Sequence, residues 1–234
     1  SEMCIRDSIS VFLADESRKN WHPRQYNFKI WFIKFVIRPL KNFSDNKNWQ
    51  SILGFIVCFK LADAFAGNLT LPFLLEIGYT KTELATILKT FGLFATLIGV
   101  YYGGILFKKI GIYKSLWIAT LVQALSNLAF VYLAINGKNI SYLYFVVFVE
   151  NFCGGIGDAI FVGYLSSICN LKFSSTQYAL FSSVSSISRS VLSSSSGFYA
   201  SNMGWISFFI FSSLLVIPAI AFLIISVSYT HLTL

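Results

Sequence analysis

Six apolar blocks dominate the chain, near residues 50–76, 84–107, 115–135, 141–169, 176–200 and 205–227. Each is long enough to cross a bilayer, which takes about 20 residues of helix. Between them stand short connections rich in turn formers and polar residues: "GYTKTE", "FKKIGIYK", "INGKNIS", "NLKFSS" and "SNMG". Charged residues make up only 12% of the sequence, about half the fraction usual in a soluble domain. The pattern predicts an all-α membrane protein with six transmembrane helices.

The formal charge of +8 would suit nucleic acid if it lay on one solvated face, but its placement follows the topology instead. Lys and Arg crowd the segment before the first block (Arg18, Lys19, Arg24, Lys29, Lys34, Arg38, Lys41, Lys47). Lys108, Lys109 and Lys114 fall in the second-to-third connection and Lys172 in the fourth-to-fifth, against Lys81 and Lys138 on the opposite side. By the positive-inside bias, both termini are expected in the cytoplasm. No nucleic-acid partner is expected; the lipid bilayer is.

Residues 9–49 read as a cytoplasmic segment. Within it "NFKIWFIKFVIRPLKNF" (27–43) places Phe28, Phe32, Phe35 and Val36 at helical spacing among basic residues, with Pro39 ending the run. That suits either a helix lying in the headgroup region or a basic linker. The first eight residues and 227–234 ("VSYTHLTL") resemble translated adapter sequence, so they are expected to be non-native and the chain to be a fragment. Cys4, Cys58, Cys153 and Cys169 have no paired spacing, and His22 and His231 stand at opposite ends, so no metal site is expected.

Ionisable groups are costly in hydrocarbon and require a partner or a wet cavity. Six lie clear of the block ends: Lys60 and Asp63 in the first, Lys89 in the second, Glu150 and Asp158 in the fourth, Arg189 in the fifth. At 1.5 Å per residue, Asp63 and Arg189 each fall about 20 Å along their helices, near mid-depth. Lys60, Asp63, Gly67 and Thr70 follow one helical face, as do Glu150, Gly154, Gly157 and Asp158. Such stripes describe a cavity wall or a close helix crossing, with the uncharged third and sixth helices outside it. Structural roles remain open beside functional ones. Lys60 and Asp63 are spaced to neutralise each other, Arg189 to lock onto Glu150 or Asp158, and Lys89 to reach water. Gln123 and Asn127 could bond between helices or touch a solute. The serines of "FSSVSSISRSVLSSSSG" suit either close packing or a hydroxyl-lined path.

"GGIGD" (154–158) carries the Gly-x-Gly-Asp pattern of intramembrane aspartyl proteases, with Asp63 as the only plausible partner for Asp158. Those enzymes place the partner on the preceding helix, commonly after tyrosine. Asp63 follows Ala62 and lies three helices earlier. The wider sequence points elsewhere. "GGILFKKIGIYK" (103–114) resembles the cytoplasmic signature loop of the major facilitator superfamily at Gly104, Lys109 and Gly111, with Lys108 where an acid is usual. "FKLADAFAGNLTLPFL", "LKTFGLFATLIGVYYGGIL", "LVQALSNLAF", "FVENFCGGIG" and "FSSTQYALFSSVSSISR" resemble, in order, stretches of the bacterial anhydromuropeptide permeases within that superfamily. "VIRPLKNF" resembles that family's central loop.

The resemblance covers most of residues 36–225 and implies one six-helix half of a twelve-helix transporter, the C-terminal one. It implies a proton-coupled importer of disaccharide-peptides from peptidoglycan, working with an N-terminal half in the inner membrane. It implies no enzyme activity and no cofactor beyond the proton gradient. Asp63 with Lys60 would couple the proton. Lys89, Glu150, Asn151, Arg189, Gln123 and Asn127 would bind substrate. Asp158, Gln177, Phe65, Tyr101 and Tyr102 would line the cavity, although Asp158 stands where the family usually has a small neutral residue. A carrier of another bulky anion, such as a coenzyme A thioester, and a non-transporting scaffold are the alternatives.

Overall fold

A computed structural model describes Ile33 and residues 37–45, 49–171 and 173–230, all helical apart from short connections. A short helix, α1 (Arg38–Ser44), precedes the bundle; Pro39 lies in its first turn, where the absent N–H has no intrahelical role. Pro39 therefore opens a helix instead of ending one, and most of the proposed headgroup segment 27–43 falls outside the described residues. So do Cys4, His22 and His231. The bundle itself comprises α2 (Trp49–Ile77), α3 (Lys81–Ile110), α4 (Ile112–Asn136) and α5 (Ile140–Ile168). A fifth segment follows as α6 (Ser174–Ser190), a 3₁₀ turn (Leu192–Ser195) and α7 (Ser196–Met203). The sixth is α8 (Trp205–Leu214) with α9 (Val216–Thr230).

Among the described residues, five runs are long and apolar enough to cross a membrane: α2, α3, α4, α5 and Trp205–Ser226. The fifth segment is not among them, because its serines lower its hydropathy and its helix is interrupted. Two other interruptions share one cause. The α2 run breaks at Asn68 and Leu69, between Trp49–Gly67 and Thr70–Ile77, and Asn68 lies four residues before Pro72. The sixth segment breaks at Leu215, beside Leu214, which lies four residues before Pro218. Proline cannot return a hydrogen bond to that carbonyl and its ring crowds it.

Connections are tight. The basic signature-like stretch is almost entirely helical: Lys108 and Lys109 end α3, where cations oppose the negative end of the helix dipole. Gly111, at φ 80°, alone separates α3 from α4, a conformation that costs glycine little. At the other end Thr80 and Glu83 form a reciprocal cap that starts α3. Tyr79 binds the backbone of Asn139 twice, at 2.9 Å each, joining the α2–α3 and α4–α5 connections.

The packing divides into two three-helix sets. α2 packs against α6 and against α9, α5 against α3 and α4, and α4 meets α8 across the middle. Exchanging the first three segments for the last three leaves this pattern unchanged, as in transporters built from internal repeats. The α3–α5 crossing is the closest. A Cβ on Gly99 would lie 2.2 Å from the Phe152 carbonyl oxygen, and one on Gly155 would lie 2.5 Å from that of Thr96. Only glycine permits such an approach.

Two aromatic cores then bracket the middle of the bundle. One contains Phe55, Phe59, Phe161, Tyr164 and Phe181; the other contains Phe65, Phe73, Phe130, Phe208 and Phe209. Along α2 the first core ends at Phe59 and the second begins at Phe65. Along α4 it stops at Ala119 and resumes at Ala129. The gap between the cores is where the polar residues lie.

Candidate functional site

Asp63 and Gly67 of α2, Thr96 of α3, Gln123, Ser126 and Asn127 of α4, Glu150, Asn151, Gly154, Gly155 and Asp158 of α5, and Arg189 of α6 line one cavity of about 160 Å³. Of the residues assigned to substrate binding, five meet there: Glu150, Asn151, Arg189, Gln123 and Asn127. Asp63 and Asp158 join them.

Lys60 is the hub. Its side chain is 9% exposed, and its ammonium bonds Asp158 Oδ1 across to α5 while lying 3.5 Å from Asp63 Oδ2 on its own helix. The rings of Phe161 and Phe59 flank it, with centroids 4.9 and 5.7 Å away, adding quadrupole attraction to a buried cation. Gln123 Nε2 donates to Asp63 Oδ1. The expected i, i+3 pair is thus one arm of a larger network. Lys60 stands between the two aspartates, an arrangement unlike the directly facing pair of a protease dyad.

A second group lies toward the other aromatic core. Thr70 donates its hydroxyl to Glu150 Oε1 at 3.4 Å. Thr96 donates to Asn151 Oδ1 at 3.2 Å across the α3–α5 crossing, and Asn151 Nδ2 donates to the Val147 carbonyl at 2.9 Å. Among the described residues neither Glu150 nor Arg189 has an opposite charge within 4 Å, so of the readings open for Arg189 the lock onto Glu150 or Asp158 is not formed. Asn127 is 4% exposed, and its Nδ2 has no hydrogen-bond partner. A buried donor left unpaired costs about 1–3 kcal/mol.

Other expected site residues lie elsewhere. Lys89 lines a separate apolar depression with Leu71, Leu75 and Leu84. Seven residues, about two α-turns, separate it from Thr96, so a regular helix would align them. A π-helical stretch at Ile87–Phe91 changes that register. Gln177 is a clasp at the bundle's end: it donates to the Pro39 carbonyl at 3.1 Å and accepts from Asn170 N at 2.7 Å, tying α6 to α1. Phe65 is buried against Phe208, Tyr199 and Phe211 and offers no face to a solute. Tyr101 and Tyr102 are 67% and 54% exposed, outside the cavity.

The third segment, expected outside for want of charge, supplies three lining residues: Gln123 and Asn127, both candidates from the sequence, and Ser126. Ser126 and Thr96 have no distinguishing sequence signal: both are ordinary helical hydroxyls that also bond carbonyls of their own helices, Gln123 O and Gly92 O. The glycines divide their duties. Gly154 borders the cavity with open space before it, Gly155 makes the α3 crossing, and Gly157 faces Gln123 Oε1.

No family model matches the chain. Individual relatives do. It is 40% identical over 213 residues to a transporter designated AmpG 4 of Rickettsia felis, covering 90% of this chain and 51% of that protein. It is 37% identical over 191 residues to the anhydromuropeptide permease of Escherichia coli K12, covering 81% and 39%. This chain is a relative of the anhydromuropeptide permeases. It spans about half the length of the curated relatives it matches. With AmpG 1 of Rickettsia prowazekii the identity is 38% over 222 residues, 91% of this chain and 50% of that protein. Similarity across so much of the chain takes in every helix that lines the cavity, and the relatives are named as transporters, not enzymes. The fold is therefore an all-α, multi-pass membrane half of a major facilitator transporter.

Proposed function

We propose that the chain is the C-terminal half of a proton-driven permease of the inner membrane, with both its ends cytoplasmic, that imports anhydromuropeptides for cell-wall recycling. The observation that carries this reading is the convergence of charged, amide and hydroxyl side chains from five segments on one cavity at the level between the two aromatic cores.

The cavity's chemistry suits such a solute. Arg189, exposed and with no acid within 4 Å among the described residues, is available to pair with a carboxylate of a peptide stem. Asn151, Gln123 and the unpaired amide of Asn127 offer bonds to sugar hydroxyls and acetamido or peptide groups. At about 160 Å³ the space is smaller than the roughly 300–1,000 Å³ of small-molecule sites. A disaccharide-peptide would therefore need room beyond it. Asp158, Arg189, Gly67 and Asn68 are exposed along its open side, the side a second six-helix half would cover. Rocking of the two halves would then give access from each side of the membrane in turn.

The test is uptake by the complete transporter in sealed vesicles. Labelled anhydromuropeptide should accumulate under an inward proton gradient and stop accumulating when the gradient is collapsed. Accumulation indifferent to the gradient, none at all, or a preference for coenzyme A thioesters would overturn the proposal.

A further inference from the structure

We infer that Glu150, not Asp63, carries the exchangeable proton, and that its protonation admits an anionic solute to the cavity. This rests on the transport reading above but makes a claim of its own.

Three carboxylates border the cavity, and their surroundings differ. Asp63 has the Lys60 ammonium at 3.5 Å and the Gln123 amide donating to it. Asp158 is bonded by the same ammonium and has a half-exposed side chain, at 55%. Both are in contact with the Lys60 ammonium. Glu150 has one hydroxyl at 3.4 Å, and no cation within 4 Å among the described residues.

The charged groups that face Glu150 can be named helix by helix. α2 supplies Asp63, with Lys60 already engaged by two aspartates; α5 itself supplies Asp158; α6 supplies Arg189. α3 and α4 bring only neutral groups: Thr96, Gln123, Ser126 and Asn127. With every group ionised, three acids oppose the two cations Lys60 and Arg189. Protonating Glu150 balances the set, and neutralisation is the usual recourse of an unpaired carboxyl away from bulk water. Asp63 and Asp158, by contrast, already share the Lys60 ammonium.

The consequence is coupling. An anionic solute entering beside Arg189 adds negative charge near Glu150 and so strengthens its hold on the proton. By reciprocity the bound proton strengthens solute binding by the same factor. The two load together, as symport requires, and Lys60 serves as a fixed strut between α2 and α5.

Infrared difference spectroscopy on this chain in lipid nanodiscs tests the assignment without any transport. Stepping from mildly alkaline to mildly acidic pH should raise a protonated-carboxyl carbonyl band. Labelling with ¹³C-glutamate should shift that band and ¹³C-aspartate should not, which needs no variant at all. Glu150→Gln should abolish it; Asp63→Asn and Asp158→Asn should keep it. A band that moves with labelled aspartate, survives Glu150→Gln, disappears in Asp63→Asn, or never forms would overturn the inference. If the band behaves as expected while vesicles fail to take up anhydromuropeptide, the proton site stands and the substrate assignment falls.

Discussion

Gly99→Ala should loosen the α3–α5 crossing, and the size of the effect follows from the backbone. The new Cβ would sit 2.2 Å from the Phe152 carbonyl oxygen, 3.0 Å from its carbon and 3.1 Å from its Cα. All three are backbone atoms on a long helix, so no rotamer change relieves them. Ordinary contact begins near 3.4 Å, so the helices must part locally by about 1.2 Å. A radial gap of roughly 0.5–1 Å already forfeits a quarter to a half of each dispersion contact along the seam, and overpacking of this kind costs about 1–3 kcal/mol. Gly104→Ala is the matched control. It lies on the same helix, a Cβ there meets nothing within 4 Å, and it gains the same intrinsic helix preference of about 1 kcal/mol. Thermal unfolding in one detergent should show Gly99→Ala less stable than Gly104→Ala by that 1–3 kcal/mol, with Gly155→Ala close to Gly99→Ala. Equal stability of Gly99→Ala and Gly104→Ala would refute the close crossing. The Thr96–Asn151 bond spans the same seam, so uptake by the complete transporter should fall alongside stability.

Three further outcomes follow from the network. Lys60→Met should destabilise the bundle by about 2 kcal/mol, below the roughly 3–5 of a fully buried pair because Asp158 can rehydrate; adding Asp63→Asn and Asp158→Asn should restore most of the loss in the same unfolding assay. Asn127→Leu removes the orphaned donor at similar volume, so stability should hold or rise by about 1 kcal/mol while solute affinity falls, a split that calorimetry and binding together would reveal. Gln177→Ala should release α1 from α6, seen as faster hydrogen exchange over 38–44, without changing uptake.

The segment pattern and the charged positions could be read from residue order, because bilayer thickness and the cost of buried charge act on composition alone. Rotation about each helix axis could not. Adjacent Gly154 and Gly155 both border the cavity, but only Gly155 meets the α3 backbone, and residue order offers no phase to separate them. The π-helical stretch at Ile87–Phe91 has no residue signature, so the direction in which it turns Lys89 could not be read from residue order. Pro72 and Pro218, by contrast, announce their breaks four residues upstream. Gln177 sits near the start of a serine-rich helix whose composition suits either close packing or a hydroxyl-lined path, and only the fold brings Pro39 to it.

The claim on which the rest depends is that polar groups from five segments enclose a wet space between two aromatic cores. Cysteine accessibility tests it most directly, after Cys4, Cys58, Cys153 and Cys169 are replaced. Cysteines at Gly154 and Asn151 should react with a membrane-impermeant thiol reagent and be protected by anhydromuropeptide, while cysteines at the fully buried Leu143 and Ile160 stay inert. Inert thiols at Gly154 and Asn151, with reactive ones at Leu143 or Ile160, would contradict the cavity.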